Sequence, residues 1–169
     1  AMPLTAALAT VAAAAMAGVP LLNGFLSKEM FFAETLFAGS AAGLRIGLPA
    51  VATLAGAFSV AYSLRLVHKV FFGRPAAELP RTPHEPVLWM LVPSAFLVVA
   101  CVLVGTLPER TVGPLLSLAA GAILGPQVPE YSLAAWHGLT LPLIMSVLAL
   151  VGGVSFYGYL HARRGGAMG

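Results

Sequence analysis

Residues 3–37 form a mostly apolar stretch of 35 residues. As one continuous helix it would run about 52 Å at ~1.5 Å per residue. The hydrocarbon core of a bilayer is only about 30 Å thick. The stretch is therefore one span with a non-helical interruption, one strongly tilted span, or two elements. Gly18, Pro20 and Gly24, in the run AGVPLLNG, fall near its centre. Glycine and proline both interrupt helices, which favours the interrupted span. Irregular backbone at membrane depth is tolerated only where protein or a water-filled cavity covers it, and discontinuous helices of this kind recur as ion sites.

Just past the interruption stand Lys28 and Glu29. An ionisable residue at membrane depth is costly and marks a functional site by default. At the start of a second half-helix, with Ser27 or Asn23 as candidate N-cap, Lys28 would meet the positive end of the helix dipole. Burial and dipole both disfavour the ammonium form, which makes Lys28 a candidate proton carrier. Glu29 points about a quarter-turn away, and at the second helical position it complements the dipole. The alternative reading is that Lys28 snorkels to an interface while Glu29 only caps a helix.

Composition fixes the class. The 169 residues are 59% hydrophobic and 9% charged, and no aspartate is present. Soluble domains carry about 25% charged residues, so the chain reads as an integral membrane protein. Long apolar runs without strict alternation indicate helices rather than a β-barrel. The net charge of +3 gathers in loops and gives no reason to invoke nucleic acid. Cys101, in the run VVACVLVG, is the only cysteine. It excludes an internal disulfide and reads as a small apolar filler. The ends look like those of a fragment, and no secretory leader is read at the start.

The expected architecture is an all-α membrane section of about four transmembrane helices, the first discontinuous, with one short surface or re-entrant segment. The spans are 2–37 (broken), 46–72, 87–107 and 138–160, in a single section covering 1–169. In the second span Ala52, Gly56, Ser59 and Ser63 recur in the small-xxx-small manner of close helix packing in lipid. Near its end Arg65, His68 and Lys69 share a face and repel one another. They require anionic lipid, an acidic partner or water, and read first as snorkelling, topology-setting residues. Residues 73–86, with four prolines, form a loop in which His84 and Glu85 read first as solvated residues, with a proton relay as the alternative. Trp89 fits an interfacial belt, and Pro93 kinks the third span without ending it. Residues 112–124 reach only about 20 Å as a helix and read as a surface-lying or re-entrant segment. Tyr131, Trp136 and His137 mark an interface. Gly152 and Gly153 permit a close helix contact in the fourth span.

Orientation follows from the positive-inside rule. Four spans place Lys69, Arg74, Arg81, Arg163 and Arg164 on one side and only Arg45 and Arg110 on the other. Loop 73–86 and the C-terminus are then cytoplasmic. No Walker-type or dinucleotide glycine loop, no CxxC and no paired-histidine metal spacing occurs. No cofactor and no metal is expected, and any energy source is an ion gradient or another subunit.

The stretch AGVPLLNGFLSKEMFFAE resembles the twelfth transmembrane helix of the antiporter-like membrane subunits. That family includes the large, A-type subunit of Mrp-type multisubunit Na+/H+ antiporters and the proton-pumping subunits of respiratory complex I. YSLRLVHKVFFG, the PHEP loop followed by WML, and WHGLTLPLIMS are similar to the Mrp large-subunit branch in particular. Complex I relatives tend to carry aspartate after the lysine, where this chain has Glu29. The resemblance implies that Lys28 is the proton-carrying lysine of a broken helix; the antiporter reading adds Glu29 as a residue that assists release. The resemblance also implies that this is one section of a larger antiporter subunit in a bacterial inner membrane. Partner subunits, the lipid bilayer, protons and Na+ are implied with it, and an earlier part of the pathway lies outside these residues. The alternatives are a pump subunit of complex I and a non-transporting scaffold in which Lys28 makes only a structural ion pair.

Overall fold

A computed structural model describes residues 2–38, 42–73, 84–125, 138 and 140–165. All of its regular secondary structure is helical: α1 (Pro3–Ala17), α2 (Asn23–Phe37), α3 (Ala42–Phe71), α4 (Leu88–Thr106), α5 (Pro108–Thr111), α6 (Gly113–Leu124) and α7 (Leu141–Gly165). Loop residues 74–83 and the expected interface residues Tyr131, Trp136 and His137 lie outside the described residues.

The interruption falls where glycine and proline place it. Helix α1 ends at Ala17 and α2 begins at Asn23, with residues 18–22 between them. Gly18 adopts φ +82°, a region open to glycine without a Cβ penalty. Its N–H donates to Ala15 O and that of Val19 to Ala14 O, each at 3.0 Å. This is the Schellman closure of a helix C-terminus. Leu21 also has positive φ, at +70°, a strained conformation for a γ-branched side chain. Neither half-helix has the length of a span.

Three other helices are long and apolar enough to cross a membrane: Leu44–Phe71, Leu88–Thr106 and Leu141–Arg163. They correspond to the expected spans 46–72, 87–107 and 138–160. Helix α3 begins earlier than expected and runs through Pro49. There the Thr53 hydroxyl donates to Pro49 O at 2.8 Å. Helix α4 continues through Pro93. Helix α6 has 12 residues, about 18 Å, and is too short to span.

The broadest interface joins α3 to α7. Contacts advance together along both helices: Ala52 and Met145 share a buried cluster with Phe32, Gly56 faces Ala149, Gly153 faces Ala57 and Val60, and His68 meets Tyr157. The two helices therefore run parallel. With α4 between them as a span, residues 107–140 must begin and end on the same side. Gly153 sits so close to α3 that a Cβ there would lie 2.4 Å from Ala57 O. Lipid supplies no hydrophobic drive between helices, so such close backbone approach is what packs them.

Candidate functional site at the helix break

A helix interrupted in an apolar setting leaves its last four carbonyls without intrahelical partners. Each of the four at the end of α1 is satisfied. Ala14 O and Ala15 O accept from Val19 and Gly18, Met16 O accepts from the Ser59 hydroxyl of α3 at 2.9 Å, and Ala17 O accepts from Lys28 Nζ at 2.8 Å. Lys28 is thus the residue that closes the broken end. Its half-buried side chain folds back over Gly18, where a Cβ would lie 2.7 Å from Lys28 Cδ.

The electrostatics differ from the sequence-based expectation. The N-cap of α2 is Leu22 and makes no side-chain cap bond. Asn23 is the first helical residue and Ser27 lies within the helix, so neither is the cap. Asn23 Oδ1 instead accepts from Cys101 Sγ at 2.8 Å, so Cys101 does more than fill space. Lys28 is the sixth residue of α2, beyond the first turn. The dipole it meets is the negative, C-terminal end of α1, which favours an ammonium.

Glu29 shows the mirror image. It is the seventh residue of α2, not the second, and is only 8% exposed. Its Oε1 accepts from the Thr140 hydroxyl at 3.4 Å. Thr140 Oγ also accepts from Leu143 N–H at 3.4 Å, the geometry of an N-cap. Glu29 therefore lies against the positive, N-terminal end of α7, where a carboxylate is favoured. Adjacent in sequence, Lys28 and Glu29 diverge toward two different helix ends of opposite polarity.

Glycines make the break compact. A Cβ at Gly24 would lie 1.8 Å from Ala15 O, and one at Gly105 of α4 would lie 2.4 Å from Leu21 O. Beside the break, α1 and α4 flank a largely apolar, half-open groove of about 590 Å³ whose lining includes Asn23, Gly24 and Cys101. Sequence reasoning missed several of these parts. Ser59 was legible only as a packing residue and Thr140 only as part of a span. Glu85 is no freely solvated loop residue. Its carboxylate accepts from Leu4 N–H at 2.7 Å and from the Thr5 hydroxyl at 2.8 Å, which caps the start of α1. Among the described residues no group of three or more His, Cys, Asp or Glu could hold a metal.

No protein-family model matches the chain. It is 58% identical over 156 residues to a probable K(+)/H(+) antiporter subunit of type A/B from Rhizobium meliloti (strain 1021), covering 92% of this chain and 16% of that one. It is 32% identical over 156 residues to the A1 subunit of a Na(+)/H(+) antiporter from Staphylococcus aureus (strain JH9), covering 88% and 19%. A chain in the solved structure of the Mrp complex from Dietzia sp. DQ12-45-1b superposes with a TM-score of 0.77 at 31% identity, covering 95% of this chain and 17% of that one. The chain therefore spans less than a fifth of the length of these relatives. By sequence and by fold, it belongs, as one section, to the family of Mrp-type antiporter membrane subunits.

Proposed function

We propose that these residues are the proton-carrying section of a cation/proton antiporter membrane subunit, with Lys28 as carrier. The observation that supports this most is the bond from Lys28 Nζ to Ala17 O across the break. A protonated amine suits the free carbonyl at the end of α1. A lysine that has lost its proton can still accept one, and its four-carbon stem lets the amine leave the carbonyl and turn to the other side of the break. Lys28 accepts a proton from the inner half-path and releases it outward. Glu29, held by Thr140 on the far face of α2, serves the release side.

Loop 73–86 and the C-terminus lie on the inner side of a bacterial cell membrane. Other subunits of a multisubunit complex complete the pathway, within the lipid bilayer. Na+ is the expected counter-ion. The relatives include both K(+)/H(+) and Na(+)/H(+) antiporter subunits by name, so both cations belong in the test. None of them is named as a complex I subunit, which leaves that reading without added support.

The test is Na+/H+ and K+/H+ exchange in everted vesicles carrying the full-length complex with Lys28→Ala or Lys28→Arg, with assembly measured in the same membranes. Both variants are expected to assemble and to lose exchange, because arginine keeps the charge but does not release its proton. Full exchange by Lys28→Arg would overturn the assignment.

A further inference from the structure

The ends of α3 and α7 carry Arg65, Lys69 and Arg163 with His68 and His161, and neither helix contributes an acidic residue. Several of these groups are engaged with one another. His68 Nδ1 and Tyr157 OH form a hydrogen bond of 2.5 Å. The rings of His68 and His161 meet edge to face at 5.0 Å, and Tyr157 stacks on His161. The Arg163 guanidinium lies 5.2 Å from the centre of the Tyr159 ring.

Arg65 and Lys69 stand apart from that cluster. Both are exposed, and they lie one turn apart on the same face. With Tyr62 and Leu66 they line a groove of about 220 Å³. Tyr62 is 56% and Leu66 38% exposed, and beyond them Val70 and Phe72 continue the exposed apolar surface. Cations at i and i+4 sit about 5–6 Å apart at Cβ and repel each other. An anion between them removes that repulsion.

We propose that Tyr62, Arg65, Leu66 and Lys69 form a headgroup site for an anionic phospholipid. Its phosphate lies between Arg65 and Lys69, and its glycerol and first acyl carbons lie along Leu66 and the Tyr62 ring. The groove itself is apolar, lined in part by the stems of Arg65 and Lys69, and both of these cations are exposed beside it, which suits an amphiphile better than an acidic peptide or a free anion. Helix α3 has 30 residues, about 45 Å, so it exceeds the hydrocarbon core, and long basic side chains near its end reach the headgroup layer. Basic pockets at this depth are where anionic headgroups are bound. The inference rests on this section being membrane-embedded and not on Lys28 carrying protons.

The experiment uses the full-length complex in nanodiscs doped with photoactivatable phosphatidylglycerol or photoactivatable phosphatidylcholine, with cross-linked peptides mapped by mass spectrometry. Residues 62–69 are expected to be labelled by the anionic lipid at least about tenfold more than by the zwitterionic one. Each cation near the surface is worth about fivefold, so Arg65→Gln with Lys69→Gln lowers labelling by an order of magnitude or more. Arg65→Lys with Lys69→Arg keeps it, as does Lys28→Ala. Equal labelling by both lipids would overturn the site, leaving only an unselective lipid annulus. Competition by millimolar glycerol 3-phosphate would overturn it in favour of a soluble phosphate. Absence of labelling, with Lys69 cross-linked to an acidic segment elsewhere in the complex, would overturn it in favour of a protein partner.

Discussion

The α3/α7 seam and the α1/α2 break lie in one bundle and solve opposite problems. Along the seam, short of the His68–Tyr157 hydrogen bond at its end, complementarity of shape suffices. Gly56, Ala57, Ala149 and Gly153 bring the helices together with little polar exchange, and the buried Ser63 and Ser146 hydroxyls have no hydrogen-bond partner among the described residues. At the break, shape is secondary to hydrogen bonding. The carbonyls that end α1 each find a donor, two from the local turn and two from side chains on other helical segments. An unbroken helix brings its hydrogen bonds with it into lipid, whereas a broken one must recruit them. That is why a lysine side chain sits at the break and small residues sit in the seam.

Substitutions can separate the two modes. The largest effect is expected at Gly24. A Cβ 1.8 Å from the Ala15 carbonyl forces α1 and α2 apart, so Gly24→Ala should cost about 3 kcal/mol or more and deplete assembled complex in the membrane. Normal assembly and exchange in that variant would show that the break is looser than described. Next comes the seam. Gly153→Ala meets backbone at 2.4 Å while Gly152→Ala meets only Ala57 Cβ at 3.7 Å. The first should lower the thermal midpoint of the solubilised full-length complex, by the equivalent of about 1–3 kcal/mol, and the second should leave it unchanged. Equal shifts would mean that the seam does not depend on that one contact.

Smaller still is Ser59→Ala, which leaves Met16 O without its donor. Hydrogen bonds between membrane helices average about 0.6 kcal/mol, and the readout here is local: faster amide exchange at residues 17–22 with little change in midpoint. Protection equal to the parent's would break the claim that α3 holds the end of α1. Last are Ser63→Ala and Ser146→Ala. Removing a buried hydroxyl that lacks a partner is expected to be neutral or stabilising by up to ~1 kcal/mol. A clear loss of midpoint would reveal a polar contact inside the seam and erase the contrast.

Much of this was legible in the sequence because membrane helices are set by local and compositional rules. The interruption between Ala17 and Asn23 follows from Gly18 and Pro20, and the short α6 follows from the prolines and glycines around it. The close approach at Gly153 was visible as a glycine pair. The environment of the candidate site was less legible. Lys28 and Glu29 do lie on a half-helix after a break, but the helix starts at Asn23, so each sits well past the first turn. The dipole that acts on each comes from another helix, and no spacing within residues 16–37 encodes the arrival of Thr140 or Ser59. Glu85 escaped for the same reason: its partners, Leu4 and Thr5, lie about eighty residues away in sequence.

The sequence by itself determined that the chain is a helical membrane section, where its first helix breaks, and which ionisable pair stands beside the break. Those properties depend on transfer energies and backbone conformations that each residue carries wherever it is placed. Only the tertiary structure decided that the Lys28 ammonium closes the end of α1 and that Glu29 faces the start of α7. Hydrogen bonds and helix-end fields act over a few ångströms, so they depend on which distant segments packing brings together.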